Sequence, residues 1–258
     1  MNRKRKKLPV KSSAIYILVI LLMSLAAYGY QKINNHLQIS LATFKLEDID
    51  IKGNNILSEQ DVLKLCGLKQ GKEQLLKIRP VDIVTKLKKS HYIKGASAVR
   101  SLPSTLRIVI VEREPIAFIH GKGLNLVDDE GMLMPIPENN HQWNLPFITG
   151  VKEPLGELGS RTTSKKALRG IEMLSYLKMM VSPIEELISE LDMGNSKHLK
   201  LLLVKGGAEV YMNYDNYQDN LYYFAQYLEN YIDWNQLKNL AYIDIRFKDQ
   251  LIVKEKKS

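Results

Sequence analysis

The sequence predicts an α+β protein with three parts: an N-terminal transmembrane helix, a small strand–helix–helix–strand–strand domain, and a mainly antiparallel β domain with two packed helices. Three observations predict it. A charge-free run from Ala14 to Tyr30 follows a tail of cations. Residues 44–112 hold two helix-start signals followed by two β-rich stretches. After Pro115, short apolar pieces alternate with glycine and acidic turns, and two amphipathic segments interrupt them.

The first element is set by charge and length. Arg3, Lys4, Arg5, Lys6, Lys7 and Lys11 carry six of the nine net positive charges, with no acid among residues 1–12. The neutral run behind them, about 19 residues at 1.5 Å each, spans roughly 28 Å, enough for a bilayer core. Tyr28 and Tyr30 stand at its far end, where aromatic rings favour the interface. Cations on one side only predict a cytoplasmic tail at 1–12, a membrane helix at 13–31 and an exported body after Lys32. Ser24-Leu25-Ala26 also fits a signal-peptide cleavage site, and either reading exports the body. Residues 32–43 read as a helix extension or spacer.

The body has the composition of a globular protein, 45% hydrophobic and 25% charged. Its charge is too diffuse for a nucleic-acid footprint. Cys66 is the single cysteine, so no intramolecular disulfide forms. It reads as a small buried residue at a helix end.

Phe44 to Ile51 alternates and predicts a strand, with Gly53-Asn54-Asn55 as a turn. Ser58 caps a helix and Asp61 reaches back to it; Val62, Leu65 and Cys66 form its apolar stripe, and Gly67 ends it. Pro80 opens the next helix, where Ile83, Val84 and Leu87 recur at helical spacing. Strands follow at Ala96–Arg100 and Thr105–Glu112 around the turn Ser101–Ser104.

Further on, Ile116–Ile119, Leu124–Val127 and Gly131–Met134 predict a meander, and 135–146 a loop. Ser164 to Met180 predicts an amphipathic helix with Ala167, Leu168, Ile171, Leu174 and Leu177 inward. Strands are predicted at Ile184–Met193, Leu199–Val204 and Glu209–Asn213. Tyr217 to Tyr231 predicts a second helix, with Leu221, Phe224, Ala225 and Leu228 inward. Leu240–Phe247 and Leu251–Val253 close the fold, and the charged end reads as a solvated tail.

No catalytic or metal motif stands out. His36, His91, His120, His141 and His198 are scattered, without metal-ligand spacing. Asp128-Asp129-Glu130 lacks the alternating oxygen ligands of a calcium loop and reads as an acidic turn. The chain has no nucleophile elbow, P-loop or dinucleotide fingerprint. The reading is therefore non-enzymatic, with no cofactor. Seven tyrosines between 211 and 231 could form an aromatic binding surface; the simpler reading is that they flank a half-buried helix, ring in and hydroxyl out.

The order of motifs over residues 49–58, 67–71 and 103–117 resembles a POTRA domain, a module found next to membranes. With Leu126–Gly131, Leu145–Gly150 and Tyr242–Phe247 added, the chain is similar to the bacterial cell-division family FtsQ/DivIB. It departs from the family's usual glycine turn at Lys248-Asp249-Gln250. The resemblance implies a POTRA domain at 44–113, an FtsQ-type β domain at 114–254 and a tail at 255–258. It also implies a septal inner-membrane scaffold that binds FtsB- and FtsL-like partners, with the FtsW–FtsI synthase downstream, and bridges early and late division proteins. POTRA-bearing export components and exported enzymes are the alternatives.

The resemblance places the partner site on the C-terminal strands, and an open sheet edge suits that role. Candidate residues are Tyr242, Asp244, Arg246, Phe247, Lys248, Leu251 and Val253. Period two puts Tyr242, Asp244 and Arg246 on one face and Ile243, Ile245 and Phe247 on the other. Arg246 would offer its fork to a partner carboxylate. Phe247 would face the partner only if the strand ends or twists there.

Overall fold

The computed structural model describes residues 10–42, 44–138, 141–180, 183–231, 236–248 and 250–256. Most of the basic tail and the centre of the Lys248-Asp249-Gln250 turn lie outside them. Helix α1 (Val10–Ala42) is continuous for 33 residues, about 50 Å. Its stretch Ile15–Asn35 is long and apolar enough to cross a membrane. The segment read as extension or spacer is thus helical to Ala42.

Two hydrophobic cores follow, and they share no residue. The first joins α2 (Glu59–Cys66) and α3 (Pro80–Leu87) to a sheet of β1 (Asp48–Lys52), β2 (Ile93–Ser101) and β3 (Thr105–Glu112), in the order β1-β3-β2. Ser58 and Asp61 form the predicted capping box, and Gly67 ends α2 in the left-handed region. Pro80 occupies the first turn of α3. Cys66 is buried there, which pushes its thiol up to about 11.

The strand predicted from Phe44 begins regular pairing only at Asp48. Phe44 and Leu46 instead hydrogen-bond to Leu75 and Glu73, fully burying Leu46. Gly53 has φ +84, and a Cβ there would lie 2.0 Å from the Ile110 carbonyl oxygen. That close approach requires glycine. The Glu112 carboxylate accepts the backbone N–H groups of Asn55, Ile56 and Leu57 at 2.7, 2.6 and 2.9 Å, so the end of β3 holds the loop after β1.

The second core lies under a nine-stranded sheet. Its strands are β4 (Pro115–His120), β5 (Leu124–Asp128), β6 (Leu133–Met134), β7 (Phe147–Thr149), β8 (Ile188–Asp192), β9 (His198–Leu203), β10 (Glu209–Asn213), β11 (Leu240–Asp244) and β12 (Ile252–Glu255). The order is β12-β11-β10-β9-β8-β7-β4-β5-β6. Helices α4 (Lys165–Met179) and α5 (Tyr217–Tyr231) pack on one face. Ser164 caps α4 by accepting from the Ala167 N–H. Five of the eight strand pairs are antiparallel; β7 with β4, β7 with β8, and β10 with β11 are parallel.

Three further predicted elements change, and one strand appears that was not predicted. The strand predicted from Ile184 starts as a 3₁₀ turn, Pro183–Leu187, and becomes β8 only at Ile188. Strand β7 was missed, being only three residues long. Strand β11 stops at Asp244, not Phe247. Strand β12 takes in Lys254 and Glu255, and the Lys256 N–H bonds the Asn239 carbonyl at 2.8 Å, so the charged end is paired backbone rather than free tail.

The two units are tied together beside their junction. Arg113, only 13% exposed at its side chain, reaches Asp128 at 2.7 Å and Glu130 at 2.9 Å. Lys94 meets Glu130 at 3.0 Å, and the Tyr92 hydroxyl donates to the Pro135 carbonyl. The acidic turn is thereby part of the joint, and it also braces itself, since the other oxygen of Asp128 accepts the Glu130 and Met132 N–H groups.

Candidate partner-binding site

Strand β11 is not the sheet edge. It lies between β10 and β12, in register Tyr242↔Lys254, Ile243↔Val253 and Asp244↔Ile252. The edge is β12, which ends the strand order. Alternate N–H and C=O groups on its outer side face away from β11. Val253 turns toward the core, while Ile252 and Lys254 share the opposite sheet face with Asp244 and Tyr242.

Among the described residues, no helix packs on that opposite face. A row of cross-strand neighbours runs over it from Phe118 through Phe147, Glu190, Leu202 and Glu209 to Tyr242 and Lys254. The Tyr211 ring packs edge-on against Tyr242 at 5.9 Å and against His198 at 5.6 Å. The Tyr211 hydroxyl donates to Glu209, which also meets Lys200 at 3.0 Å. Tyr211 and then Lys200 hold the Glu209 carboxyl below its usual range, against partial burial.

Arg246 does not present a free fork. Its Nε and Nη2 bind the two Asp244 oxygens at 2.8 and 2.5 Å, and its guanidinium lies 5.4 Å from the Tyr211 ring. The hydrogen bonds from Arg246 hold the Asp244 carboxyl well below the usual carboxylate range, although burial opposes this. Asp244 itself is buried. The fork that the sequence offers to a partner carboxylate is thus already engaged by a neighbour two residues away.

The end of β11 has a clear cause. The Asn220 side chain on α5 donates to the Ile245 carbonyl, and Asn213 on β10 donates to the Arg246 carbonyl at 2.7 Å. Both acceptors are thereby taken by side chains rather than by a ladder. The chain leaves the sheet and Phe247 emerges half exposed, as it would if the strand ends there. Between this turn and α5 lies a groove of about 540 Å³. Tyr223, Tyr227 and Tyr231, four residues apart along α5, form one wall; Arg246, Phe247, Lys248 and Leu251 form the other. The tyrosines therefore divide: Tyr217 is buried, whereas Tyr223 and Tyr231 are exposed.

Of the seven candidates, Tyr242 and Asp244 lie on the open sheet face, Phe247, Lys248 and Leu251 line the groove, and Val253 lies on the edge strand itself. Arg246 touches both the face and the groove. Sequence reasoning did not single out Lys254 or Lys200, and it favoured packing over binding for Tyr211 and the groove tyrosines. Alternation of polar and apolar residues in Glu209–Asn213 was the available signal for Tyr211.

The comparisons agree with this architecture. Residues 44–113 match the family model for the POTRA domain, FtsQ-type, and residues 117–246 match the model for the cell division protein FtsQ/DivIB, C-terminal. Cell division protein FtsQ of Geotalea daltonii is 27% identical over 216 residues, covering 82% of this chain and 76% of the relative. FtsQ of Koribacter versatilis is 24% identical over 90% of this chain and 64% of the relative. Cell division protein DivIB of Clostridium acetobutylicum is 24% identical over 63% of this chain and 65% of the relative. With an apolar N-terminal helix, a POTRA unit and an FtsQ-type sheet in that order, the chain belongs to the FtsQ/DivIB family of cell division proteins.

Proposed function

We propose that the chain is a non-catalytic scaffold of the septum that captures a strand from an FtsB-like partner on β12. Helix α1 crosses the inner membrane once, with the N-terminus cytoplasmic and the folded units outside. The bound FtsB- and FtsL-like proteins link early division proteins to the FtsW–FtsI synthase, and through it to septal peptidoglycan synthesis. The observation that carries this reading is the open edge of β12 beside a preformed aromatic groove. An added strand gains main-chain hydrogen bonds from the edge, and its side chains gain specificity from the groove and from Lys254.

The test is a proline scan of β12 in the full-length, membrane-inserted chain. Proline at Val253 or Lys254 removes one N–H, and neighbouring N–H groups point to opposite sides of a strand. One variant breaks pairing with β11 and lowers the unfolding midpoint. The other removes an outward donor, keeps its midpoint and loses co-purification of the partner. Retained co-purification in that second variant sinks the reading. Depletion of the protein is expected to give filaments without septa.

A further inference from the structure

The chain enters the first unit at one end of its sheet and leaves it at the other. At the entry end the start of β1, the end of β2 and the start of β3 meet, with Asp48 and Ser101 both opposite Thr105. The loop 69–77 is tied to this end. The Leu46 N–H donates to the Glu73 carbonyl at 2.9 Å, the Gly71 N–H to the Leu46 carbonyl at 2.8 Å, and the Leu75 N–H to the Phe44 carbonyl at 2.9 Å. The Arg100 guanidinium donates to the Leu76 carbonyl at 3.1 Å. Phe44 stands two positions beyond the last residue of α1. That helix runs on through residues 36–42 after its apolar stretch, which adds about 10 Å, and the step to Phe44 adds at most about 7 Å. The acyl core of a membrane crossed by that stretch therefore lies within about 17 Å of the entry end, and its headgroups lie nearer still.

This end carries an excess of cations. Lys45, Lys69, Lys72, Lys77 and Arg100 are exposed, against two exposed acids, Glu47 and Asp48. Glu73 is half-buried and accepts the Lys69 N–H at 3.3 Å. Among the described residues, none of these five cations pairs with a carboxylate, whereas Lys94, Arg107 and Arg113, farther along the sheet, all do. At the turn between β2 and β3, Leu102 is 62% exposed and belongs to neither core. An exposed leucine beside unpaired cations has two unmet needs, an apolar layer and a layer of anions. The margin of a bilayer presents both side by side, in its acyl chains and its phosphates.

We propose that the entry end of the first unit rests on the membrane surface, with its cations on the phosphates of anionic phospholipids and Leu102 among the headgroups. The proposal rests on the reading that α1 crosses the membrane, and it holds whichever way that helix runs. Connectivity selects this occupant, because the bilayer is the surface that the tether keeps within reach of these residues. Each cation adds a modest, salt-sensitive attraction that fades within a Debye length of the surface, so the five act together only if the unit sits down on it. The contact sets how the folded units stand on the membrane, and so where β12 is held.

The experiment uses the full chain in lipid nanodiscs, with an apolar, environment-sensitive fluorophore attached at Leu102→Cys; the buried Cys66 stays unlabelled. In discs of phosphatidylcholine with about one-third phosphatidylglycerol, emission is expected to be at least about threefold brighter than in phosphatidylcholine alone. Salt at about 0.5 M is expected to remove most of that gain. Lys69→Gln, Lys72→Gln and Lys77→Gln combined are expected to do the same with a level unfolding midpoint, since all three side chains are exposed. The same label at Asn55→Cys, roughly 20 Å away beyond the far end of β1, is expected to stay dim in every disc. Equal brightness in phosphatidylcholine alone, a gain that survives salt, or a bright label at position 55 overturns the proposal. A chain that does not enter the discs refutes the membrane reading of α1 and this proposal with it. An inserted chain whose label at position 102 stays dim refutes this proposal alone.

Discussion

The Asn213 side-chain amide donates to the Arg246 carbonyl across 2.7 Å, joining β10 to the first residues beyond β11. Together with Asn220 on the Ile245 carbonyl, it decides where the strand stops and where the groove begins. Asn213→Ala leaves a part-buried acceptor without its donor and is expected to cost about 1–3 kcal/mol. Denaturant unfolding measures the cost. Partner co-purification is expected to weaken further than that loss of stability explains, because Phe247 and Leu251 lose their fixed positions.

Arg246 and Asp244 act as a unit. Arg246→Gln leaves the Asp244 carboxylate, 8% exposed at its side chain, without its counter-ion. The expected cost is about 2 kcal/mol, and adding Asp244→Asn recovers most of it. A double-mutant cycle on the unfolding midpoint decides this; additive losses would contradict a coupled pair. Arg246→Glu sets two carboxylates together and so tests folding rather than recognition.

Acid is expected to loosen the open face of the sheet. Asp244 and Glu209 are both held below their ordinary values, so the unfolded chain binds more protons than the folded one. Their contribution is complete above about pH 5 and is lost as pH falls through about 4 and below. Unfolding midpoints at neutral pH and near pH 3.5 report the loss. Asp244→Asn is expected to shrink the difference between them.

In the first unit, Gly53→Ala forces a Cβ against the Ile110 carbonyl at a positive φ. The expected loss is at least about 2 kcal/mol. Glu112→Gln replaces one acceptor oxygen by an NH2 donor that faces a backbone N–H, and the loss of at least one of the bonds to Asn55, Ile56 and Leu57 is expected to cost about 1–3 kcal/mol. The two cores are separate, so both losses appear in the unfolding of the first unit and leave the second unchanged. A single shared transition that shifts as a whole would count against that separation.

Helices were legible because their ends are written locally. Ser58 with Asp61, Gly67, Pro80 and Ser164 each act within a few residues of the turn they start or stop. Strand ends were not legible, because distant groups set them. Nothing near Ile245 announces that Asn213 and Asn220 will take the carbonyls there. Strand β7 is too short to show a period. Strand β12 was half hidden, because Lys254 and Glu255 read as tail although charge is how exposed edges discourage unwanted pairing. The resemblance pointed to the C-terminal strands; which of them forms the sheet edge needed the register.

The separation of the two cores also bears on how such a protein can change over time. With no shared buried residue, either unit can be repacked or exchanged for a relative's counterpart without disturbing the other's interior. The joint is what must travel with the exchange. Arg113, Asp128, Glu130 and Lys94 form a matched fitting, and a hybrid that keeps three of them with a foreign fourth is left with a stranded charge. The natural place to cut is therefore not the linker itself but outside this fitting, so that its four members are inherited together.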